Sequence, residues 1–149
     1  MEVKIETATS KLLDQLYQIE EQCFDQEAFS KRQISYLLSD YNAISLVAKV
    51  NSDLAGFIIT QVEVEENTQF GHIITINVAP SFRRKKIGTK LLQEVETLLK
   101  QKGISESRLE VREDNHHAIK LYQALNYQVV GKLENYYGKK HGLYFKKTL

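Results

Sequence analysis

The length of 149 residues suits one domain with a substantial core, and 42% hydrophobic with 26% charged residues is ordinary for a soluble globular protein. A net charge of +1 gives no reason to expect general binding to nucleic acid or acidic membranes, and a single cysteine excludes an internal disulfide. Because the N-terminal residues contain neither an apolar signal core nor a membrane span, we expect a cytoplasmic protein. We expect one domain over residues 1–149, and the oligomeric state, monomer or homodimer, stays open.

The first half of the chain predicts a strand, two helices and a hairpin. Apolar and charged residues alternate at the N-terminus as in a strand, and an amphipathic helix follows. Ser30 is a suitable N-cap for a second, shorter helix. Two apolar strands, 43–50 and 54–64, flank a short polar turn, and Gly56 within the second strand predicts a bulge or a close backbone approach.

The second half predicts strand, helix, strand, helix and a closing hairpin. The segments are strand 73–78, helix 87–99, strand 107–113, a helix capped by Asn115, and hairpin strands 127–133 and 143–147. A helix separates the first two of these strands, so they should lie parallel. The order β-α-α-β-β-β-α-β-α-β-β predicts an α/β (α+β) fold, with a mixed, mostly antiparallel sheet and helices on both faces.

A basic turn connects strand 73–78 to the helix that follows it. After Pro80 come four consecutive basic residues, Arg83–Lys86, and then the helix with Gly88 in its first turn. Free N–H groups, the positive end of the helix dipole and the cationic side chains together favour phosphate binding. The alternative is a solvated basic surface. The turn matches neither a Walker A loop nor a Rossmann G-x-G-x-x-G turn.

The segment VAPSFRRKKIGTKLL, residues 78–92, resembles the pyrophosphate-binding motif [Q/R]-x-x-G-x-[G/A] of the GNAT N-acetyltransferase superfamily. Arg83 stands at the first motif position and Gly88 at the last, but Lys86 replaces the middle glycine. We expect Lys86 to enter the helix in a right-handed conformation, which needs no glycine and leaves its N–H directed at the phosphates. If close approach requires the glycine, the lysine side chain would instead obstruct the cofactor.

A second set of motifs makes the resemblance more specific. LEVR at 109–112, Asn115, Ala118, the Leu-Tyr segment at 121–127 and the NYY of the closing hairpin resemble RimI-type and archaeal-like protein N-terminal acetyltransferases. The resemblance implies transfer of the acetyl group of acetyl-CoA to a primary amine, most readily a protein or peptide N-terminal α-amine, by direct attack in a ternary complex. Alternatives are a lysine or small-molecule amine as acceptor, or a non-catalytic acetyl-CoA sensor.

Two residues are candidates for the proton transfers of acyl transfer. Glu110, near the carboxyl end of strand 107–113, is placed to accept a proton from the amine, and Tyr122 on the next helix can present its hydroxyl to the departing sulfur. Each has a structural alternative. Glu110 can pair with Arg108 or Arg112, and Tyr122 can simply fill the core.

The remaining expected site residues bind the cofactor or the acceptor. The resemblance and the free N–H groups expected at the strand end imply these cofactor contacts: Ile76, Asn77, Val78, Arg83, Arg84, Lys85, Lys86, Ile87, Gly88, Thr89, Asn115 and Tyr122. The resemblance also implies that one wall of the acceptor site is formed by Phe24, Phe29, Tyr136 and Tyr137. The alternative for Phe24 and Phe29 is that they are ordinary core residues.

Neither a metal site nor a cysteine nucleophile is expected. His116 and His117 are adjacent, so on a helix they point about 100° apart. His72 and His141 lack a cluster of partner ligands in the sequence, and Cys23 lacks an evident base.

The lower pKa of a peptide α-amine favours it over lysine as the acceptor. A peptide α-amine with a pKa near 8 is roughly 20% neutral at about pH 7.4, whereas a lysine with a pKa near 10.4 is only about 0.1% neutral. The same weak base therefore serves the α-amine more easily.

Overall fold

The computed structural model describes residues 2–24 and 26–149. Its strands are β1 (Val3–Thr7), β2 (Ala43–Val50), β3 (Asp53–Glu65), β4 (Thr68–Val78), β5 (Glu106–Arg112), β6 (Gln128–Tyr137) and β7 (Lys140–Thr148). Its α-helices are α1 (Leu13–Cys23), α2 (Lys31–Ser39), α3 (Ile87–Gln101) and α4 (His116–Ala124). Both the predicted element order and the predicted fold class are confirmed. Of the helices within these residues, none is long and apolar enough to cross a membrane.

The strands form one sheet in the order β1-β2-β3-β4-β5-β7-β6. All neighbours are antiparallel except β4 and β5, which are parallel as the sequence predicts. The parallel pairing is short, because only residues 71–73 of β4 pair with residues 107–109 of β5. Beyond Ile73 the two strands separate, and the carboxyl end of β4 keeps a partner only on its β3 side.

Two apolar cores lie on opposite faces of the sheet. One includes residues of α3 such as Leu91, packed with Ile73 and Leu109 of the parallel strands. The other includes Leu16 of α1 and Ile34 of α2. Because α1 packs on β3 and β4, polar side chains of α1 are brought to the end of β4 where the sheet opens.

The helix caps predicted at Ser30 and Asn115 are present. The Ser30 hydroxyl accepts the N–H of Gln33, and the Gln33 side chain accepts the N–H of Ser30 in return, which completes a capping box. Asn115 Oδ1 accepts the N–H of Ala118 at 3.2 Å. These caps fix where α2 and α4 begin, and Asn115 at the start of α4 lies beside the gap between β4 and β5.

The closing hairpin is longer than predicted. The expected strands 127–133 and 143–147 extend in the structure to Tyr137 and back to Lys140. Asn135 at φ 51° accommodates an irregularity in β6, and Gly138 at φ 70° makes the tight turn. As a result the two tyrosines of the NYY motif lie on a strand rather than in a loop.

Gly56 makes the close backbone approach that the sequence predicts. A Cβ at this position would clash with the carbonyl oxygen of Asn77 and lie 3.3 Å from Cα of Val78. Both are backbone atoms of β4, so relief requires a shift of the strand. Gly56→Ala is expected to lower the free energy of unfolding by about 2–3 kcal/mol, measured by urea denaturation.

Gly131→Ala is the control for this substitution. Its added Cβ would find Tyr144 Cβ at 4.0 Å as its nearest neighbour, so the change should stay within about 0.5 kcal/mol. Equal stability of the two variants would show that β4 yields to the added methyl group.

Candidate active site

A pocket occupies the gap where β4 and β5 separate. Its walls come from residues 73–76 of β4, residues 109–112 of β5, α4, the segment after α1 and the end of β6. The predicted site residues among its lining are Phe24, Phe29, Ile76, Glu110, Asn115, Tyr122, Tyr136 and Tyr137. Both predicted catalytic residues and all four predicted acceptor-wall residues therefore line one pocket.

Two backbone N–H groups of β4 face this gap. The Ala79 N–H donates to the Ala55 carbonyl on the β3 side at 2.8 Å. Because successive peptide groups of a strand point to opposite edges, the N–H groups of Val78 and Ile76 point away from β3. On that edge, the Val78 carbonyl accepts a hydrogen bond from Arg83 Nε at 3.2 Å. Outward N–H groups of this kind can stabilise negative charge on a bound oxygen.

Asn77 does not fit its predicted role in cofactor binding. It is buried opposite Phe57 of β3, and the same alternation directs its N–H toward β3. Its side-chain amide donates to Glu20 Oε1 and to Thr75 Oγ1, both at 3.0 Å. The prediction named three consecutive residues, but strand alternation turns only the N–H groups of Ile76 and Val78 away from β3.

Glu110 lies in the pocket wall with 16% of its side chain exposed. It pairs with neither Arg108 nor Arg112, since both arginines bond other carboxylates. The pairings with Arg108 and Arg112 that were considered for Glu110 are therefore not formed. Its Oε1 lies 2.8 Å from Nε2 of His72 on β4, and this contact fixes the carboxylate in the pocket.

His72 lies between two carboxylates. Its Nδ1 is 2.6 Å from Glu63 Oε2, on the side away from Glu110. Burial alone would lower the pKa of His72, but hydrogen bonds and charge from Glu110 and Glu63 outweigh burial and raise the pKa above 6.5. These two contacts were not foreseen from the sequence, because it is strand register that brings side chains of β3, β4 and β5 together on one face.

Tyr122 is buried in the wall formed by α4. Its ring lies 6.0 Å, centroid to centroid, from the rings of Tyr127 and Phe145. Within the described residues its hydroxyl has no hydrogen-bond partner, and it belongs to the pocket lining. Burial raises the pKa of Tyr122, so the hydroxyl keeps its proton throughout the neutral range. Tyr122 is thus a permanent hydrogen-bond donor available to a bound molecule.

Glu20 is a site residue that the sequence reasoning missed. Its carboxylate is fully buried, lines the pocket and accepts three hydrogen bonds, from Thr75 Oγ1 at 2.8 Å, Asn77 Nδ2 at 3.0 Å and the Phe29 N–H at 3.1 Å. Burial raises the pKa of Glu20, although these hydrogen bonds act in the opposite direction. The available signal was its spacing, because Glu20 is four residues after Leu16 on the inward face of the predicted helix.

The part of the pocket near the predicted acceptor wall has an ion pair and a pair of packed tyrosine rings. Glu27 Oε1 lies 2.8 Å from Nη1 of Arg112, which ties the segment before α2 to the end of β5. Tyr136 and Tyr137 pack edge to face with centroids 4.9 Å apart, and Tyr136 is 53% exposed. This edge of the pocket is therefore partly open to solvent.

The basic turn adopts a different backbone from the one expected. Lys86 has φ 60° and ψ 25°, and Arg84 has φ 65°, so both are left-handed. The prediction of a right-handed Lys86 was wrong, because the chain reverses between the turn at 80–82 and α3 through two left-handed residues. A left-handed non-glycine residue costs about 1–2 kcal/mol, which explains a glycine at this motif position.

The entry to α3 remains suited to an anion. No described side chain caps it, so the N–H groups of its first turn lack acceptors. A Cβ on Gly88 would meet Leu121 at 3.4 Å and Val78 at 3.7 Å, which are ordinary contacts. The Arg83 guanidinium bonds the Val78 carbonyl and Cys23 Sγ. The turn as a whole lies outside the residues that line the pocket.

Comparison with known proteins decides the family. The sequence model of the acetyltransferase (GNAT) family matches residues 13–127. The chain belongs to the GNAT family. The match includes Glu110, Tyr122 and the basic turn, but it ends before β6. The contribution of Tyr136 and Tyr137 to the pocket therefore comes from the structure alone.

Two groups of relatives are named as N-acetyltransferases. The chain is 34% identical over 109 residues to an N-alpha-acetyltransferase of Sulfurisphaera tokodaii, a match covering 67% of this chain and 65% of that protein. It is 37% identical over 87 residues to the [Ribosomal protein bS18]-alanine N-acetyltransferase of Escherichia coli, covering 58% and 56% respectively. The chain therefore matches less than two thirds of either relative's length.

A solved structure confirms the fold over nearly the whole chain. NAA60 of Arabidopsis thaliana, crystallised with acetyl-CoA, superposes with a TM-score of 0.88 at 17% identity, covering 99% of both chains. At this identity the likeness concerns the fold.

Proposed function

We propose that this GNAT-family chain transfers the acetyl group of acetyl-CoA to the N-terminal α-amine of a protein or peptide, by direct attack in a ternary complex. The observation that carries the proposal is the pocket between β4 and β5, where Glu110 and Tyr122 share one cavity with the exposed edge of β4. The names of the archaeal and bacterial relatives support acetyl transfer to N-terminal amines.

The residues present fit acetyl-CoA at two separate points. The uncapped start of α3, preceded by Arg83–Lys86, suits the pyrophosphate through its N–H groups and positive charge. The outward N–H groups of Ile76 and Val78 suit the acetyl oxygen. Asn115 and Tyr122 line the pocket on the α4 side. Acetyl-CoA supplies the activated acyl group, and the residues of this chain position it and manage the protons.

The transfer requires one new bond and one broken bond. The amine nitrogen forms a bond to the acetyl carbon, and the bond from that carbon to sulfur breaks. Glu110 accepts the proton that the amine loses, directly or through water, and its other contact with His72 keeps the carboxylate in place. The N–H groups of Ile76 and Val78 stabilise the negative charge that develops on the acetyl oxygen.

Tyr122 completes the proton balance at sulfur. Its hydroxyl is protonated at neutral pH because burial raises its pKa. The same shift makes full proton transfer to a thiolate unfavourable, since a thiol has an ordinary pKa near 8.5. Tyr122 therefore acts chiefly by donating a hydrogen bond to the departing sulfur. The thiolate then takes a proton from solvent, and Glu110 releases to solvent the proton that it received from the amine.

The charge of the pocket suits a cationic or neutral amine. Carboxylates of Glu27 and Glu110 line it, and Arg112 is the one basic residue among the described lining. A free N-terminus is attracted to such a pocket and loses its proton more easily than a lysine does. The rings of Phe24 and Phe29 provide an apolar surface for the residue that carries the amine.

Turnover on matched peptides tests the proposal. The purified chain is incubated with acetyl-CoA and with one peptide in three forms: free N-terminus without lysine, blocked N-terminus with lysine, and both groups blocked. Thiol release and peptide mass are recorded, and polyamines serve as small-molecule acceptors. Acetylation of the free N-terminus alone is the expected result. Acetylation only of lysine or polyamine would overturn the acceptor assignment, and CoA binding without turnover would indicate a sensor.

Lys86→Gly tests the role of the left-handed backbone in the basic turn. Glycine relieves strain at this position, whereas Lys85→Gly, one residue earlier, only adds flexibility. The free energy of unfolding of Lys86→Gly should therefore exceed that of Lys85→Gly by about 1 kcal/mol. CoA affinity by calorimetry should stay within about tenfold of wild type, roughly 1.4 kcal/mol, because the backbone N–H is retained. A gain far beyond tenfold would show that the lysine side chain obstructs the cofactor.

A further inference from the structure

The fully buried carboxylate of Glu20 joins three separate segments of the site. It projects from α1, and its Oε1 accepts hydrogen bonds from Thr75 and Asn77 on β4. Its Oε2 accepts the backbone N–H of Phe29, in the segment that forms the acceptor wall. Burying a carboxylate is costly and seldom adds net stability, even when it is well bonded. Its place at the junction of the acceptor wall and β4 suggests a role in positioning.

The two β4 residues that Glu20 contacts lie in the part of the strand that no longer pairs with β5. Thr75 and Asn77 stand on either side of Ile76, and parallel pairing with β5 ends before them, at Ile73. The orientation of the Ile76 and Val78 N–H groups then depends on β3 and on whatever holds the side chains of Thr75 and Asn77. Glu20 holds both of these side chains with one oxygen.

We propose that Glu20 is a positioning residue that clamps the acceptor wall at Phe29 to the end of β4, so that acceptor binding and stabilisation of the acetyl oxygen depend on one carboxylate. This inference rests on the proposed acetyl transfer and adds a residue that touches neither substrate. It assigns to Glu20 two measurable effects, one on the acceptor and one on the chemical step.

Hydrogen bonding, rather than charge, is what the clamp requires. Glu20→Met keeps the length of the side chain but leaves three buried donors without an acceptor. Glu20→Gln can restore the contacts. Its oxygen accepts the Phe29 N–H, and its amide donates to the Thr75 hydroxyl. Once the side-chain amide of Asn77 turns over by 180°, the same glutamine amide also donates to Asn77 Oδ1, which has no partner among the described atoms. The conservative variant should therefore rescue the function.

Steady-state kinetics separate positioning from simple stability. Glu20→Met is expected to lower kcat at least tenfold and to raise KM for the acceptor peptide about tenfold, with Kd for CoA unchanged. Glu20→Gln should stay within about threefold of wild type in both. Thr75→Val removes a β4 contact and keeps Phe29, so it should lower kcat without raising the acceptor KM.

Glu96→Met is the matched control. Glu96 is also buried, bonds Tyr127 and Lys147, and lies outside the pocket lining. It should lose stability and keep wild-type kinetics at temperatures well below its Tm. If Glu20→Met behaves in the same way, Glu20 is only a structural residue and the proposal is overturned.

Amide hydrogen exchange tests the clamp without any turnover. The Phe29 N–H should exchange at least tenfold faster in Glu20→Met than in wild type, and at the wild-type rate in Glu20→Gln. Unchanged Phe29 exchange in Glu20→Met would contradict the clamp, whatever the enzyme does. Failure of the wild-type chain to acetylate any N-terminus would instead contradict the proposed function, while the exchange experiment would still decide the clamp.

Discussion

Tyr122→Phe is expected to lower kcat by about 10²–10³-fold while CoA still binds, which is the effect typical of losing one hydrogen-bond donor to a developing negative charge. The substitution keeps the ring against Tyr127 and Phe145 and removes only the hydroxyl. Since that hydroxyl has no partner among the described residues, the free energy of unfolding should change by less than about 0.5 kcal/mol. The loss should appear in kcat rather than in the acceptor KM, because the hydrogen bond strengthens as charge develops on sulfur. Pre-steady-state thiol release measures this step directly.

Tyr127→Phe is the control, because it should lower stability without lowering kcat. The Tyr127 hydroxyl donates to Glu96 at 2.9 Å and bonds Ser107 at 2.8 Å in the interior. Its removal should cost about 1–3 kcal/mol of stability and leave kcat unchanged. If Tyr122→Phe retains wild-type kcat, the thiolate departs without assistance and the mechanism lacks its donor at sulfur.

The order of elements was predictable because each one carries a local signal. Periodicity separated helices from strands, and the caps Ser30 and Asn115 marked helix starts that the structure confirms. The parallel arrangement of β4 and β5 followed from the helix between them. The length of the last hairpin was not predictable in this way, because the left-handed Asn135 allows pairing to continue past a point where the apolar alternation stops.

The placement of Glu110 and Tyr122 followed from motifs, but their surroundings did not. The contact of His72 with Glu110 depends on the register between β4 and β5, which sequence patterns do not specify. Glu20 was hidden because a glutamate on an apolar helix face looks like an interruption of the face. The three donors that make its burial tolerable come from distant residues.

Backbone conformation was the least predictable property of the basic turn. The cationic sequence and the helix start were visible, but the left-handed state of Lys86 is imposed by the path between two fixed elements. A right-handed residue was the expectation from intrinsic preference, since left-handed lysine costs about 1–2 kcal/mol. Tertiary packing of α3 on the sheet supplies that energy.

Glu110→Gln is expected to lower kcat by about 10²–10⁴-fold at about pH 6 and by much less at about pH 9. Near pH 6 almost all of a peptide α-amine with a pKa near 8 is protonated, so the reaction needs a base in the site. Near pH 9 most of the amine is already neutral in solution, and the base becomes dispensable. Glutamine can still accept a hydrogen bond from His72 through its oxygen, so the pocket should keep its shape.

The pH–rate profile of kcat distinguishes a base from a residue that only binds the acceptor. Glu106→Gln is the control, because Glu106 lies on the same strand, pairs with Arg108 and is outside the pocket lining. It should leave the profile unchanged, whereas Glu110→Gln should make kcat rise more steeply with pH than in wild type. A Glu110→Gln defect of constant size across the whole range would mean that the carboxylate orients the amine without accepting its proton. The proton would then have to leave through water alone, and only acceptors already neutral in solution would react at a useful rate.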